Sequence, residues 1–304
     1  MIAELLILVG LPSTPNVTAR PQIQIVGEAR RLLENRIFYL EDQFTASDIR
    51  HMGPNGSRDT LLFSLPKNYG PISPYPLGKH YVFAYSTSED GSTGYDLYAN
   101  RTVNIAGAIR LTNEGFEFIN SVQHSRDGSK IVFTAAPFDV AFGLYRMTST
   151  GGSLTRLDNG EDSDLARDGT DRIVYTRLFG SFGEIYKRDL NAAPGVGTRL
   201  TNNGSEDFFP QWSKDGARIT FSRGDNLDIF TMNSSGGDLQ QLTNTPLEFE
   251  LGSSYSPNGS EIAFVVISGL DPGQSGVYKM SSTGVNRQPL RLLPNVGPGI
   301  YWTP

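Results

Sequence analysis

The sequence predicts an all-β chain folded as a six-bladed β-propeller of four-stranded antiparallel blades, closed by its own C-terminal strand. Three observations carry this expectation. A strand–turn–strand phrase recurs, with Asp-Gly at 127–128, 168–169 and 215–216 and Asn-Gly at 258–259. The leucines that end successive repeats stand at 111, 157, 200, 242 and 292, giving spacings of 46, 43, 42 and 50 residues. A four-stranded blade takes about 40–50 residues. Finally, the first repeat lacks an opening strand, and the chain ends on one.

The phrase itself reads as two strands. Its copies are His124-Ser-Arg-Asp-Gly-Ser-Lys-Ile-Val-Phe133, Leu165-Ala-Arg-Asp-Gly-Thr-Asp-Arg-Ile-Val-Tyr175, Trp212-Ser-Lys-Asp-Gly-Ala-Arg-Ile-Thr-Phe221 and Tyr255-Ser-Pro-Asn-Gly-Ser-Glu-Ile-Ala-Phe264. Both central residues of a type I′ hairpin turn take positive φ, which Asp, Asn and Gly tolerate best, so a type I′ turn is expected in each copy. A weaker copy is Tyr75-Pro-Leu-Gly78 followed by His80-Tyr-Val-Phe-Ala-Tyr85. A third strand of constant shape follows each hairpin: Tyr95-Asp-Leu-Tyr98, Gly143-Leu-Tyr-Arg-Met147, Glu184-Ile-Tyr-Lys187, Asp228-Ile-Phe-Thr-Met232 and Val277-Tyr-Lys-Met280. Small turns containing Gly151, Gly236 and Gly284 lead to a fourth strand, which ends in Arg110-Leu-Thr112, Arg156-Leu157, Arg199-Leu-Thr201, Gln241-Leu-Thr243 or Arg291-Leu292.

The N-terminal part falls into the same register. Asp48-Ile-Arg-His-Met52 matches Asp228-Ile-Phe-Thr-Met232, and Arg36-Ile-Phe-Tyr39 is the strand before it. The missing inner strand is supplied by Gly299-Ile-Tyr-Trp-Thr-Pro304, which matches Pro210-Gln-Trp-Ser213. Sharing one blade between the two ends removes two open sheet edges. Residues 36–304 therefore form the propeller, and residues 1–35 are an N-terminal arm or the remnant of an export leader. The apolar run Ile2–Leu11 is broken by Glu4 and ended by Pro12. It is about half the ~20 residues a membrane helix needs and lacks a basic flank.

Composition narrows the function classes. With a net charge of −6 and basic residues scattered through the turns, the 304-residue chain offers no basic face for nucleic acid. The absence of cysteine excludes disulfides, thiolate metal sites and a cysteine nucleophile.

The stretch Thr201-Asn-Asn-Gly-Ser-Glu-Asp-Phe-Phe-Pro-Gln-Trp-Ser-Lys-Asp-Gly-Ala-Arg-Ile-Thr-Phe-Ser222, continued by Asp228–Asn233 and Gln241-Leu-Thr243, resembles the repeat of TolB-like propellers. The resemblance covers residues 36–304 and implies the six-bladed fold, a binding role and a setting outside the cytoplasm. TolB itself carries an α/β domain ahead of its propeller, which residues 1–35 are too short to form. Relatives that cleave oligogalacturonate hold a metal on clustered channel histidines. Here His51, His80 and His124 are expected on a third, a second and a first strand of three different blades.

No Gly-x-Ser-x-Gly elbow, His-Glu-x-x-His, phosphate loop or EF-hand spacing is present; Gly180-Ser-Phe-Gly183 falls one residue short of the first. His124 occupies the slot filled by Trp212, Tyr255 and Trp302, which reads as packing. Asp127, Asp168 and Asp215 recur at hairpin tips, where turn geometry accounts for them.

The loops joining one repeat to the next are acidic and aromatic, and a propeller brings all of them to one face. They place Glu117, Glu161, Asp162, Glu206, Asp207, Glu248 and Glu250 near the channel mouth, with Phe116, Phe118, Phe208 and Phe249 between them. These acids either tie down backbone amides where a strand begins or form a recognition face, and the two roles are compatible. The leading expectation is a monomeric, non-catalytic scaffold that binds a protein, peptide or glycan segment at this mouth. The alternative is a polysaccharide- or peptide-cleaving enzyme working from the same mouth. No cofactor is required, though carboxylate and amide oxygens would suit Ca2+ in the channel.

Overall fold

The computed structural model describes residues 35–302 apart from 43–45, 67–68, 75–80, 87–93, 101–104 and 180–181. The expectations for residues 1–34, for the turn copy at Tyr75–Gly78 and for His80 fall outside the described residues.

Blade 1 consists of β1 (Ile37–Asp42), β2 (Ala46–Met52) and β3 (Thr60–Pro66), joined on the inside by β24 (Val296–Trp302) in the order β24-β1-β2-β3. Blade 2 runs β4 (Tyr69–Pro74), β5 (Tyr81–Ser86), β6 (Tyr95–Asn100) and β7 (Ile109–Arg110). Blade 3 runs β8 (Phe118–His124), β9 (Lys130–Ala136), β10 (Gly143–Thr148) and β11 (Thr155–Asn159). Blade 4 is β12 (Glu161–Leu165), β13 (Arg172–Phe179), β14 (Phe182–Asp189) and β15 (Thr198–Arg199). Blade 5 is β16 (Asp207–Trp212), β17 (Arg218–Arg223), β18 (Asp228–Asn233) and β19 (Gln240–Gln241). Blade 6 is β20 (Glu248–Tyr255), β21 (Glu261–Ser268), β22 (Gly276–Ser281) and β23 (Gln288–Leu292).

The closing strand pairs antiparallel with β1 through Ile37–Trp302, Phe38–Tyr301 and Tyr39–Ile300, so the one-plus-three blade is formed as the termini imply. Second strands such as β9 and β17 are buried on both faces, because each blade is sandwiched between two others. The core accordingly lies between blades. Phe116, Ile119 and Phe133 of blade 3 pack with Val82 and Leu97 of blade 2, and Trp302 and Ile37 of blade 1 pack with Val265 and Val277 of blade 6. The slot shared by His124, Leu165, Trp212, Tyr255 and Trp302 is buried in every one of those blades.

The hairpin turns correct one expectation. In a type I′ turn Asp127 and its equivalents would have positive φ, yet only the glycines do: Gly128 at 70°, Gly169 at 88°, Gly216 at 66° and Gly259 at 72°. The Gly128 amide donates to the Ser125 carbonyl at 2.9 Å, and the Asp127 side chain accepts from the Ser129 amide at 2.9 Å. This is an ordinary turn over Ser-x-Asp-Gly that ends in a left-handed glycine, with the acid bonding the amide two residues on. Equivalent bonds join Asp168 to Thr170, Asp215 to Ala217 and Asn258 to Ser260. The preceding serine adds its hydroxyl in blades 3, 5 and 6, which favours this longer turn over the two-residue one.

The turn between third and fourth strands locks neighbouring blades together. A Cβ placed on Gly151, Gly236 or Gly284 would lie 2.7 Å from the carbonyl oxygen of Leu111, Leu200 or Leu242, each in the preceding blade. The recurrent leucine and the recurrent glycine are thus two halves of one contact.

Inner strands are where the fold departs from regularity. Register against the second strand shifts between Ile119 and Ser121, Glu161 and Asp164, Phe208 and Gln211, and Leu251 and Ser253. Asp162 (φ 49°) and Phe209 (φ 54°) adopt left-handed backbone within these bulges. A bulge re-aims side chains that a flat strand would bury, and here it does so beside the channel.

Candidate binding face and channel

Inner strands run from a loop face to a turn face. Antiparallel order returns each second-to-third-strand loop to the end where the inner strand begins, so these loops and the inter-blade loops share the loop face.

The seven carboxylates of that face divide into two groups. Asp207 is fully buried and forms a two-pronged ion pair with Arg223, Nε at 2.6 Å and Nη2 at 2.8 Å, while Asn203 donates to it at 2.9 Å. Glu250 is also fully buried; it accepts from the Thr243 hydroxyl and faces Arg287 Nε at 3.5 Å. Burial pushes its carboxyl up to about 7, against the opposing pull of Thr243 and Arg287. Glu248 shares the Arg287 guanidinium. These three are tied inward.

Glu117, Glu161, Asp162 and Glu206 are half-buried and form no ion pair among the described residues. Burial raises the carboxyls of Glu161 and Asp162, and the neighbouring Glu161 charge adds to the rise at Asp162, while the Phe209 amide opposes it. The charge these four present at the mouth therefore depends on pH, because burial favours the neutral forms of Glu161 and Asp162.

Other acids do the tying at the ends of the outer strands. Asp96 accepts from Arg110, Thr112 and the Glu114 amide, and Glu184 accepts from Arg199, Thr201 and the Asn203 amide at 2.9 Å. Asp228 holds the Thr245 amide in the same way. In blades 2 and 4 an acid near the start of the third strand thus fixes the Arg-Leu-Thr phrase that ends the fourth.

Aromatic and aliphatic side chains crowd the loop face. Phe116 is buried in the core and does not reach the mouth. Phe118 is 50% exposed and stacks on Phe142 with ring centroids 6.5 Å apart. Phe208 and Phe249 are half-buried, and Phe208 packs over Gly183, where a Cβ would sit 2.9 Å from its ring. The second-to-third-strand loops contribute exposed Phe138 and Val140 in blade 3, and Leu178 and Phe182 in blade 4. Sequence reasoning considered only inter-blade loops and missed these four. Their signal was an apolar residue beside a loop proline or glycine, as in Pro137-Phe138 and Ser181-Phe182-Gly183. Two surface hollows, of about 340 and 460 Å³, lie elsewhere: one is lined by Ser256, Asn258 and Trp302, the other by Glu261, Ser281 and Arg287.

The turn-side end of the channel has the opposite sign. Arg167 and Lys214, the variable residues of two Ser-x-Asp-Gly-type turns, flank Tyr301 of the closing strand. A basic residue at that position in three successive repeats, Arg126, Arg167 and Lys214, was the available clue.

His51 and His124 are both buried, in blades 1 and 3. Among the described residues no group of three or more His, Asp or Glu side chains could hold a metal. No described helix is long and apolar enough to cross a membrane.

Six four-stranded sheets sealed by the C-terminal strand, with an open aromatic face at one end of the channel, define a six-bladed propeller with the TolB-like fold. Among solved structures the chain is similar to TolB from Acinetobacter baumannii at 21% identity and a TM-score of 0.69, over 89% of this chain and 67% of that one. A putative TolB from Agrobacterium tumefaciens is 18% identical with a TM-score of 0.65, over 86% of this chain and 99% of that one. A chain of a nidogen/laminin complex is 9% identical with a TM-score of 0.62, over 88% of this chain and 97% of that one. These likenesses show the fold. By sequence, no family model and no curated protein matches.

Proposed function

We propose that the protein is a binding scaffold whose loop face recognises a protein or peptide segment carrying apolar and basic side chains. The observation that carries this reading is the exposed collar of Phe118, Phe138, Val140, Leu178 and Phe182 beside four carboxylates without counter-ions. A contiguous apolar patch on one face is costly to leave in water and marks an interaction surface. The surface hollows lie away from this face, which suits a partner laid across an open surface more than an enclosed small molecule. The likeness to TolB supports a setting outside the cytoplasm.

The test is capture of partners from the native host by the wild type and by a variant with Phe118, Phe138 and Phe182 changed to serine. All three are about half exposed, so the variant folds and loses the partner. Because burial raises the Glu161 carboxyl to about 7, a basic partner binds more tightly as pH rises from 6 to 8 and that group ionises. The same interaction weakens with salt. A glycan stacked on the aromatic rings would show neither dependence. Equal capture by the serine variant and the wild type would refute the loop face as the recognition surface.

A further inference from the structure

We propose that the turn-side end of the channel is a binding site for a small oxyanion, a carboxylate or phosphate group, held by Arg167, Lys214 and the hydroxyl of Tyr301. The site stands apart from the loop face, so it neither needs nor supports the reading given above.

Tyr301 comes from the closing strand of blade 1, while Arg167 and Lys214 come from blades 4 and 5. The guanidinium carbon of Arg167 lies 5.7 Å from the Tyr301 ring centroid and Lys214 Nζ lies 4.1 Å from it. The three side chains therefore meet across the channel. Gln211 Nε2 donates to the Ile300 carbonyl at 3.3 Å, joining the inner strands of blades 5 and 1. That bond bridges the channel beside Tyr301.

The positive charge here has no ion-pair partner among the described residues. Arg167 spends one nitrogen on the His124 carbonyl at 3.3 Å, and its buried Nε has no hydrogen-bond acceptor. Neither Arg167 nor Lys214 forms an ion pair among the described residues. The carboxylates nearby are already engaged. Asp164 accepts from Gln123 at 2.9 Å and from the Trp212 amide at 2.7 Å, while Asp127, Asp168 and Asp215 hold their own turns. Arg126 lies against the Gly169 turn and adds a third cation at the rim. Burial and the charge of Asp164 would raise the Tyr301 phenol, but Arg167 and Lys214 outweigh them and hold the phenol below its ordinary value. Two cations gathered on one tyrosine, neither in an ion pair among the described residues, supply the charge and the donors that an oxyanion requires.

The experiment titrates the full chain with sodium phosphate and, separately, sodium acetate, at ionic strength fixed with chloride. Calorimetry reads saturable heat, and ultraviolet absorbance reads the tyrosinate transition. A bound anion neutralises the cations and moves the Tyr301 transition to higher pH, an effect absent in Tyr301→Phe. The double variant Arg167→Met, Lys214→Met lowers affinity by about tenfold or more. Lys214→Met alone, at a half-exposed position, serves as the folding-neutral check. Binding of acetate alone assigns a carboxylate ligand, binding of phosphate alone a phosphate, and binding of both supports the site. Absence of saturable heat with either anion overturns the proposal, as does equal affinity in wild type and Lys214→Met.

Discussion

Asp207 and Glu250 stand near the starts of inner strands β16 and β20 and look interchangeable in sequence, yet replacing each by its amide has effects of opposite sign. Asp207 closes a two-pronged pair with Arg223, whose guanidinium also lies over Phe221 and Phe230. Asp207→Asn leaves a mostly buried guanidinium without its counter-charge and costs about 3–5 kcal/mol, read as a lower denaturation midpoint. Glu250 is the reverse case, since its folded carboxyl titrates near 7 against an ordinary 4.5. A folded value above the unfolded one means the native state binds the proton more tightly. Stability is then greatest below the unfolded value and falls as pH rises towards 7. The loss is at most roughly 3 kcal/mol. Glu250→Gln retains the contact with Thr243, so the wild type loses stability between pH 5 and 8 and the variant does not; parallel pH profiles would contradict this. The sequence could show that acids collect at the loop face, but not which of them meet an arginine, because Arg223 and Arg287 arrive from a second strand and a turn some 16 and 37 positions further on. Cations Arg167 and Lys214 were hidden for a related reason. Their partner Tyr301 is more than 80 residues away and meets them only once the ring is closed.

At the scale of elements, strand identity and order were legible because each blade repeats the same punctuation. Asp-Gly marks the first hairpin, an aromatic marks the third strand, and leucine ends the fourth. What repetition could not reveal was turn type, since Asp-Gly fits both a two-residue type I′ turn and the longer Ser-x-Asp-Gly turn found here. The bulges in the inner strands were equally hidden, because an extra residue changes the partner count and not the residue types. The third-to-fourth-strand turn yields a sharper test. Gly151 has φ 87°, and a Cβ there would lie 2.7 Å from the Leu111 carbonyl oxygen of the preceding blade. Gly151→Ala thus meets both backbone strain and a contact with main chain that has no room to move. A loss of about 1–3 kcal/mol is expected, more than the ordinary cost of a surface substitution. Gly107 provides the control, with a similar φ of 75° and nothing within 4 Å of a Cβ. Thermal melts of the two alanine variants separate strain alone from strain plus inter-blade contact. If both lose the same amount, the contact between blades contributes nothing.

For the whole molecule, the decisive question is what the last strand does for the ring. β24 pairs along β1, and its side chains Ile300 and Trp302 pack in the interface of blades 1 and 6. Trp302 is almost wholly buried, its indole N–H donates to Asn35 at 2.8 Å, and its amide donates to the Ser254 hydroxyl at 3.0 Å. One residue therefore joins the start of the described chain, the closing strand and blade 6. Truncating a buried aromatic costs about 3–5 kcal/mol, set against a total margin of about 5–15 kcal/mol for a folded domain. Trp302→Ala is thus expected to lower the melting midpoint sharply while leaving a cooperative transition. Deleting 296–304 goes further, because it also bares the edge of β1 and the face of blade 6, and an uncovered edge pairs with other chains. The deletion is expected to aggregate or to melt without cooperativity, with blade 1 the first region to exchange its amide hydrogens. Adding the excised segment back as a synthetic peptide should restore the midpoint in a concentration-dependent way, since a strand that binds only the folded ring stabilises it by mass action. An unchanged midpoint in the deletion, or no response to the peptide, would mean that the ring is held by its blade-to-blade packing and not by the shared strand.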